Sequence, residues 1–204
     1  LASSTAVTLS MAQMAKQHKS KTLFMGGVVV ASSIMFIRVL IEVAVVNRVL
    51  LDRLWLPVTV MFVCLIIGGS WLWFRDKDSD TGTEIELKNP FNLPTALQFG
   101  FLLGVILLLS SAAKEWFGDQ GIYVLSLVSG LIDVDAITLS LSRMAETDLN
   151  ESVAITGIVL ASAMNTIVKG LLFSFFTGIK ASLRLLLVLL VSVIPGLIIV
   201  FLML

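Results

Sequence analysis

The stretch QGIYVLSLVSGLIDVDAITLSLSRM, Gln120–Met144, is apolar at both ends and carries two acids, Asp133 and Asp135, near its middle. Its length suits a bilayer crossing, which takes about 20 residues. A charge at the membrane centre costs at least ~2.5 kcal/mol, so ionisable groups placed there are candidates for function. On an unbroken helix, residues two apart point about 200° away from each other; in an unwound stretch they share a face. Ser129 and Gly130, just upstream, provide the flexible break that unwinding needs. The two carboxylates can then converge on one cation, hard oxygen ligands suiting Mg²⁺, Ca²⁺ or Mn²⁺. The competing reading is structural: one of these acids, like Ser3 or Ser4, caps a half-helix. A single Asp suffices for a cap, and two need a further reason.

Outward from this stretch the whole chain reads as membrane-embedded. Of 204 residues, 57% are hydrophobic and 14% charged, against about 25% charged in a soluble domain. Fourteen basic and fourteen acidic residues cancel, so no basic field exists to attract nucleic acid. Residues 22–46, 54–74, 91–113, 120–144, 152–177 and 185–204 give about six crossings, preceded by a short helix over 3–18. Helices are expected throughout, because the alternation of a membrane barrel is absent. The one clearly aqueous segment is the charged loop over residues 75–90. The fold class expected is therefore an all-α polytopic membrane protein of six to seven spanning or half-spanning helices.

An internal repeat at an offset of 130 organises these helices. Ala6-Val7-Thr8-Leu9-Ser10 recurs as Ala136-Ile137-Thr138-Leu139-Ser140, and Met14-Ala15 as Met144-Ala145. Gly27-Val28-Val29-Val30-Ala31-Ser32 recurs as Gly157-Ile158-Val159-Leu160-Ala161-Ser162, and Ile37 as Ile167. One residue of drift later, Arg38 aligns with Lys169 and Arg53 with Arg184. The chain is thus expected to be one membrane domain over 1–204, with repeat units 1–74 (truncated at its start) and 91–204. Full crossing by residues 120–144 makes the repeats parallel; re-entry makes them inverted. Repeats of either kind are the usual construction of secondary transporters. The positions equivalent to Asp133 and Asp135 are Ser3 and Thr5, hydroxyls on either side of Ser4.

Other polar residues are weighed against that frame. Arg38 and Glu42 lie four apart on one helix face, so neutralisation within the helix or snorkelling to the interface is the expected arrangement. Lys169 has no acid at helical spacing and needs a partner from another helix, with Asp133 or Asp135 the natural candidates. Asn165 and Thr166 add amide and hydroxyl groups to the same span. Thr8, Thr138, Ser10, Ser140, Ser32 and Ser162 suit close helix packing, Thr138 also standing beside the acids as a candidate ligand. Cys64 sits in an apolar run and reads as a buried small hydrophobe. His18 stands alone in a polar stretch, without the neighbours of a zinc site. The three basic segments (around Lys16–Lys21, Arg48/Arg53 and Lys180/Arg184) conflict under the positive-inside rule, so no orientation follows. No P-loop, GxSxG or HExxH occurs, and no enzyme is expected.

Asn89-Pro90-Phe91, Trp116-Phe117-Gly118, Gly121-Ile122-Tyr123, Ser129-Gly130-Leu131 leading into Asp133-Val134-Asp135-Ala136-Ile137-Thr138, and Asn165-Thr166 with Lys169 resemble the C-terminal membrane domain of MgtC/SapB-type bacterial proteins, catalogued as domain of unknown function 4010. The resemblance implies a multi-pass domain of a bacterial plasma membrane, linked to Mg²⁺ physiology. It also implies an MgtC-like membrane domain upstream in the same chain, which fits a first residue, Leu1, that is not an initiator Met. A homo-oligomer remains open. The expected function is a secondary transporter or channel for a divalent, Mg²⁺-like cation. Its ion-binding or translocation set is Asp133, Asp135, Asn165, Lys169, Ser3, Ser4, Thr5 and Thr138, with Asp133 and Asp135 as the metal ligands. The alternative is a membrane regulator that packs against other proteins and uses its polar residues structurally.

Overall fold

The computed structural model describes residues 4–17, 21–75 and 93–203; of residues 75 and 93–99 only the backbone is described. The described chain is all-helical: α1 Ser4–Gln17, α2 Thr22–Val46, α3 Arg48–Arg75, α4 Leu93–Ile132, α5 Asp135–Met144, α6 Glu151–Thr177 and α7 Ile179–Met203. Five of these are long and apolar enough to cross a membrane. A helix satisfies its own backbone, and that is what lets such apolar segments lie in lipid.

Turns between the long helices are as short as a chain permits. A single residue, Asn47, separates α2 from α3, and a single residue, Gly178, separates α6 from α7. The basic connection expected at Arg48 and Arg53 is therefore helix. Asn47 makes the tight turn work, its Oδ1 accepting from Leu50 N at 3.0 Å and its Nδ2 donating to the Ser142 carbonyl at 3.2 Å. Gly178 holds φ 87° and ψ 143°, a backbone that side chains resist.

The segments expected as separate crossings over 91–113 and 120–144 are arranged differently. They are two limbs of α4, joined at Gly118 with φ 61° and ψ −144°. Lys114 pairs with Asp119 across that corner, and a side chain on Gly121 would collide with the Ala113 carbonyl. Residues eight apart on a straight helix stand about 12 Å apart, so the chain folds back on itself here. The second limb, 119–132, is only ~21 Å long at 1.5 Å per residue and stops short of a full crossing.

Beyond it the chain turns back again. The second limb runs parallel to α6: Gly157 lies beside Ser126 and Ile122, and Gly130 beside Ala161 and Met164. Helix α5 runs parallel to α2, with Asp135 at Arg38 and Ser142 at Asn47. Helices α2 and α6 are antiparallel, since Lys169 meets Met35 while Lys21 donates to the Thr177 carbonyl at 2.8 Å. It follows that α5 runs against the second limb of α4, and residues 119–144 form a re-entrant hairpin. Ser140 on α5 accordingly bonds back to Ser110 on the first limb, at 2.9 Å.

Around this hairpin α1 packs on α2 and α6, and α3 packs on α7. The α3–α7 pair is antiparallel, with Gly68 against Val188 and Gly196 against Met61. Met11 fills the space beside Gly27, and Leu141 the space beside Gly157. Apolar residues such as Phe24, Met35, Phe36, Ile137, Ile158 and Phe173 make a continuous core. Cys64 is free and half-buried.

Candidate functional site

The break in the hairpin comes at Asp133–Val134, three to four residues after Ser129 and Gly130, where the sequence had suggested it. Ser129 and Gly130 are helical, and Asp133 N still donates to the Ser129 carbonyl at 2.8 Å. Gly130 owes its small size to packing instead: a Cβ there would lie 2.5 Å from the Ala161 carbonyl oxygen. That close approach lets Asn165 Nδ2 donate to the Gly130 carbonyl at 2.9 Å.

The two acids at the break have different surroundings. Asp133 is half-buried, and its Oδ1 accepts from Val134 N at 2.7 Å and from Asp135 N at 3.4 Å, so it closes the turn into α5. Asp135, 2% exposed, forms an ion pair with Arg38 of α2. The Asp135 Oδ1 atom has no hydrogen-bond partner among the described residues. Arg38 is thus paired across helices, not with Glu42 on its own helix. Glu42 Oε2 is buried without a hydrogen-bond partner among the described residues.

Lys169 is fully buried on α6. Its Nζ donates to Met35 Sδ at 3.4 Å, and among the described residues it forms no ion pair. Met35, Arg38 and Glu42 follow one another at about one-turn intervals on α2, with Lys169 on the first and Asp135 on the second, and Asp133 lies three residues past Gly130, whose carbonyl Asn165 holds one turn before Lys169. Five ionisable side chains from α2, the α4–α5 break and α6 therefore share one part of the core: Arg38, Glu42, Asp133, Asp135 and Lys169. Three acids face two cations there.

Hydroxyls and an amide without partners among the described residues are also found along α2, the hairpin and α6. Buried side-chain atoms without a hydrogen-bond partner among the described residues include Ser32 Oγ, Ser126 Oγ, Ser129 Oγ, Thr138 Oγ1, Ser142 Oγ, Ser162 Oγ and Asn165 Oδ1. On α6, Ser162, Asn165, Thr166 and Lys169 follow i, i+3, i+4, i+7 spacing, which makes one stripe. Buried polar atoms are normally bonded, so open atoms of this kind suit bound water.

Ser3 and His18 are outside the described residues. Ser4 and Thr5, half-buried on α1, make no side-chain hydrogen bond to Asp133 or Asp135 among the described residues. Thr8 donates to the Ser4 carbonyl at 2.9 Å, and Ser10 is exposed. Among the described residues no group of three or more His, Cys, Asp or Glu is placed to hold a metal ion. Met35 is a contact for Lys169 that the sequence did not indicate, since a Met in an apolar run carries no sign of polar company.

Comparison with known proteins gives two matches. The sequence profile of a family described as "Domain of unknown function (DUF4010)" matches residues 1–177. An uncharacterized protein of Aquifex aeolicus (strain VF5) is 34% identical over 170 residues, covering 82% of this chain and 74% of that protein. No solved structure matches.

Proposed function

The chain belongs to the DUF4010 family, and from that premise we propose that it is a secondary transporter or channel for a cation, of the divalent Mg²⁺-like class, in a bacterial plasma membrane. The observation that carries this reading is the convergence of Asp133, Asp135, Glu42, Arg38 and Lys169 on the broken hairpin inside a membrane domain. Lipid-embedded charges are expensive, and a purely structural bundle gains little from five of them. Residues Asn165 and Thr138, with their open oxygens, complete the polar lining. The Mg²⁺ preference rests on the resemblance to MgtC/SapB-type proteins and on the hard oxygen ligands. The reading assigns no enzymatic role.

The proposal includes duplication by inverted repeats. Met11–Gly27 and Leu141–Gly157 are the same contact displaced by 130 residues. The one-residue turns at Asn47 and Gly178 are 131 apart (178 − 47). Helices α2 and α6, and likewise α3 and α7, cross antiparallel, as partners related by an axis in the membrane plane do. On this reading α1 corresponds to α5, and each is a half-helix against its repeat's first long helix.

The second reading, a regulator with structural charges, draws support from the Arg38–Asp135 pair and the Asp133 turn. Flux in proteoliposomes distinguishes the two. Wild-type vesicles are expected to take up Mg²⁺ or its mimic Mn²⁺ from a panel of ions, and Asp133→Asn and Asp135→Asn to lose most of that uptake. Uptake of no ion, or uptake untouched in both variants, would sink the transport reading.

A further inference from the structure

Among the described residues Lys169 is a fully buried charge without an ion-pair partner. An ammonium has three donors, and this one meets a single thioether, a weak acceptor. Arg38, which aligns with Lys169 in the other repeat, is held by Asp135 of α5. The residue that aligns with Asp135, at the corresponding offset of 130, is Thr5 of α1, which is neutral. One repeat therefore locks its cation and the other leaves it loose. Asp133 lies three residues past Gly130, whose carbonyl Asn165 holds one turn before Lys169, and among the described residues its Oδ1 accepts only from backbone N–H groups. From α2 the cation meets Met35, and one turn on from Met35 stands Arg38, itself held by Asp135 at the start of α5.

We infer that Lys169 is an internal counter-cation, a positioning residue that substitutes for the transported ion when the site is empty. This rests on the transport reading and narrows it to a carrier. A carrier must return its unloaded site through the low-dielectric middle of the membrane, where an uncompensated carboxylate is costly. With an ion bound, the ion's charge offsets Asp133. Without one, the Lys169 ammonium swings from Met35 toward Asp133 and does the same. Net transport needs that empty return; exchange of one bound ion for another does not.

The test uses the full chain in proteoliposomes with radioactive Mn²⁺ as probe. Net uptake is measured into ion-free vesicles, and exchange into vesicles preloaded with unlabelled Mn²⁺. Lys169→Met is expected to lose net uptake far more than exchange, raising the exchange-to-net ratio by roughly tenfold or more, because only the empty return exposes the uncompensated carboxylate. Lys169→Arg, which keeps the charge, is expected to retain the wild-type ratio. A merely structural lysine would lower both rates together and leave the ratio unmoved, which overturns the inference, as does a Lys169→Arg ratio equal to that of Lys169→Met. Wild-type vesicles showing neither uptake nor exchange would instead remove the transport reading itself, and this inference with it.

Discussion

Arg38 and Asp135 show how a residue's partner, more than its type, decides what it does. The pair joins α2 to the start of α5, with side-chain exposure of 19% and 3%. Removing one member of such a pair strands the other, at a cost on the order of 3 kcal/mol, whereas replacing both with apolar groups costs less. Arg38→Ala and Asp135→Ala are expected to lower the thermal midpoint in detergent more than the double variant Arg38→Met/Asp135→Leu does. Equal losses in all three would show the pair to be unimportant for stability. The residues of this cluster were legible in the sequence because a charge in an apolar run is conspicuous. Their pairing was not. Glu42 stands four residues from Arg38 and Asp135 nearly a hundred, yet the pair forms with the distant one because α5 re-enters beside α2. Met35 gave no signal, since a thioether's role as acceptor depends only on what the neighbouring helix places against it.

At the scale of elements, glycine positions divide into corners and contacts, and sequence alone does not sort them. Gly118 is a corner, with a backbone that other residues avoid at a cost of about 1–3 kcal/mol. Gly118→Ala is expected to destabilise by that amount and to loosen the α4 hairpin, detectable as faster protease cleavage near Trp116; unchanged cleavage would contradict the hairpin. Gly130 is a contact, and the sequence suggested a break there because a small residue beside Ser129 is equally good at both tasks. The helix continues to Asp133 because α6 needs the close approach more than the chain needs a bend. Helices α2 and α6 were readable almost to the residue from their apolar runs. The fate of residues 91–144 was not, because hydropathy records whether a segment is oily and not whether it turns back.

For the whole molecule, re-entry changes which ends share a side of the membrane. Asp119, at the α4 corner, and Asp148, after α5, come out on the same side, together with Arg48. Lys21 and Lys180 come out on the other, since Lys21 bonds Thr177 next to the Gly178 turn. Single cysteines at positions 119 and 148, in a variant whose Cys64 is replaced, are expected to react with a membrane-impermeant thiol reagent from the same face. Cysteines at 21 and 180 are expected to react from the opposite face. Labelling of 119 and 148 from opposite faces would restore a full crossing. This arrangement narrows the conflict among basic segments, because the Lys21 and Lys180 regions now lie together and Arg48 is left on the opposite face.

The one-residue turns at Asn47 and Gly178 leave almost no slack between α2 and α3, or between α6 and α7. Each pair behaves as a stiff bracket, so a tilt of its first arm is transmitted at once to its second. The brackets meet where α3 crosses α7, with Gly68 seated on Val188 and Gly196 on Met61. On the transport reading proposed above, that crossing is the fulcrum on which one bracket would rock against the other, with no helix having to melt.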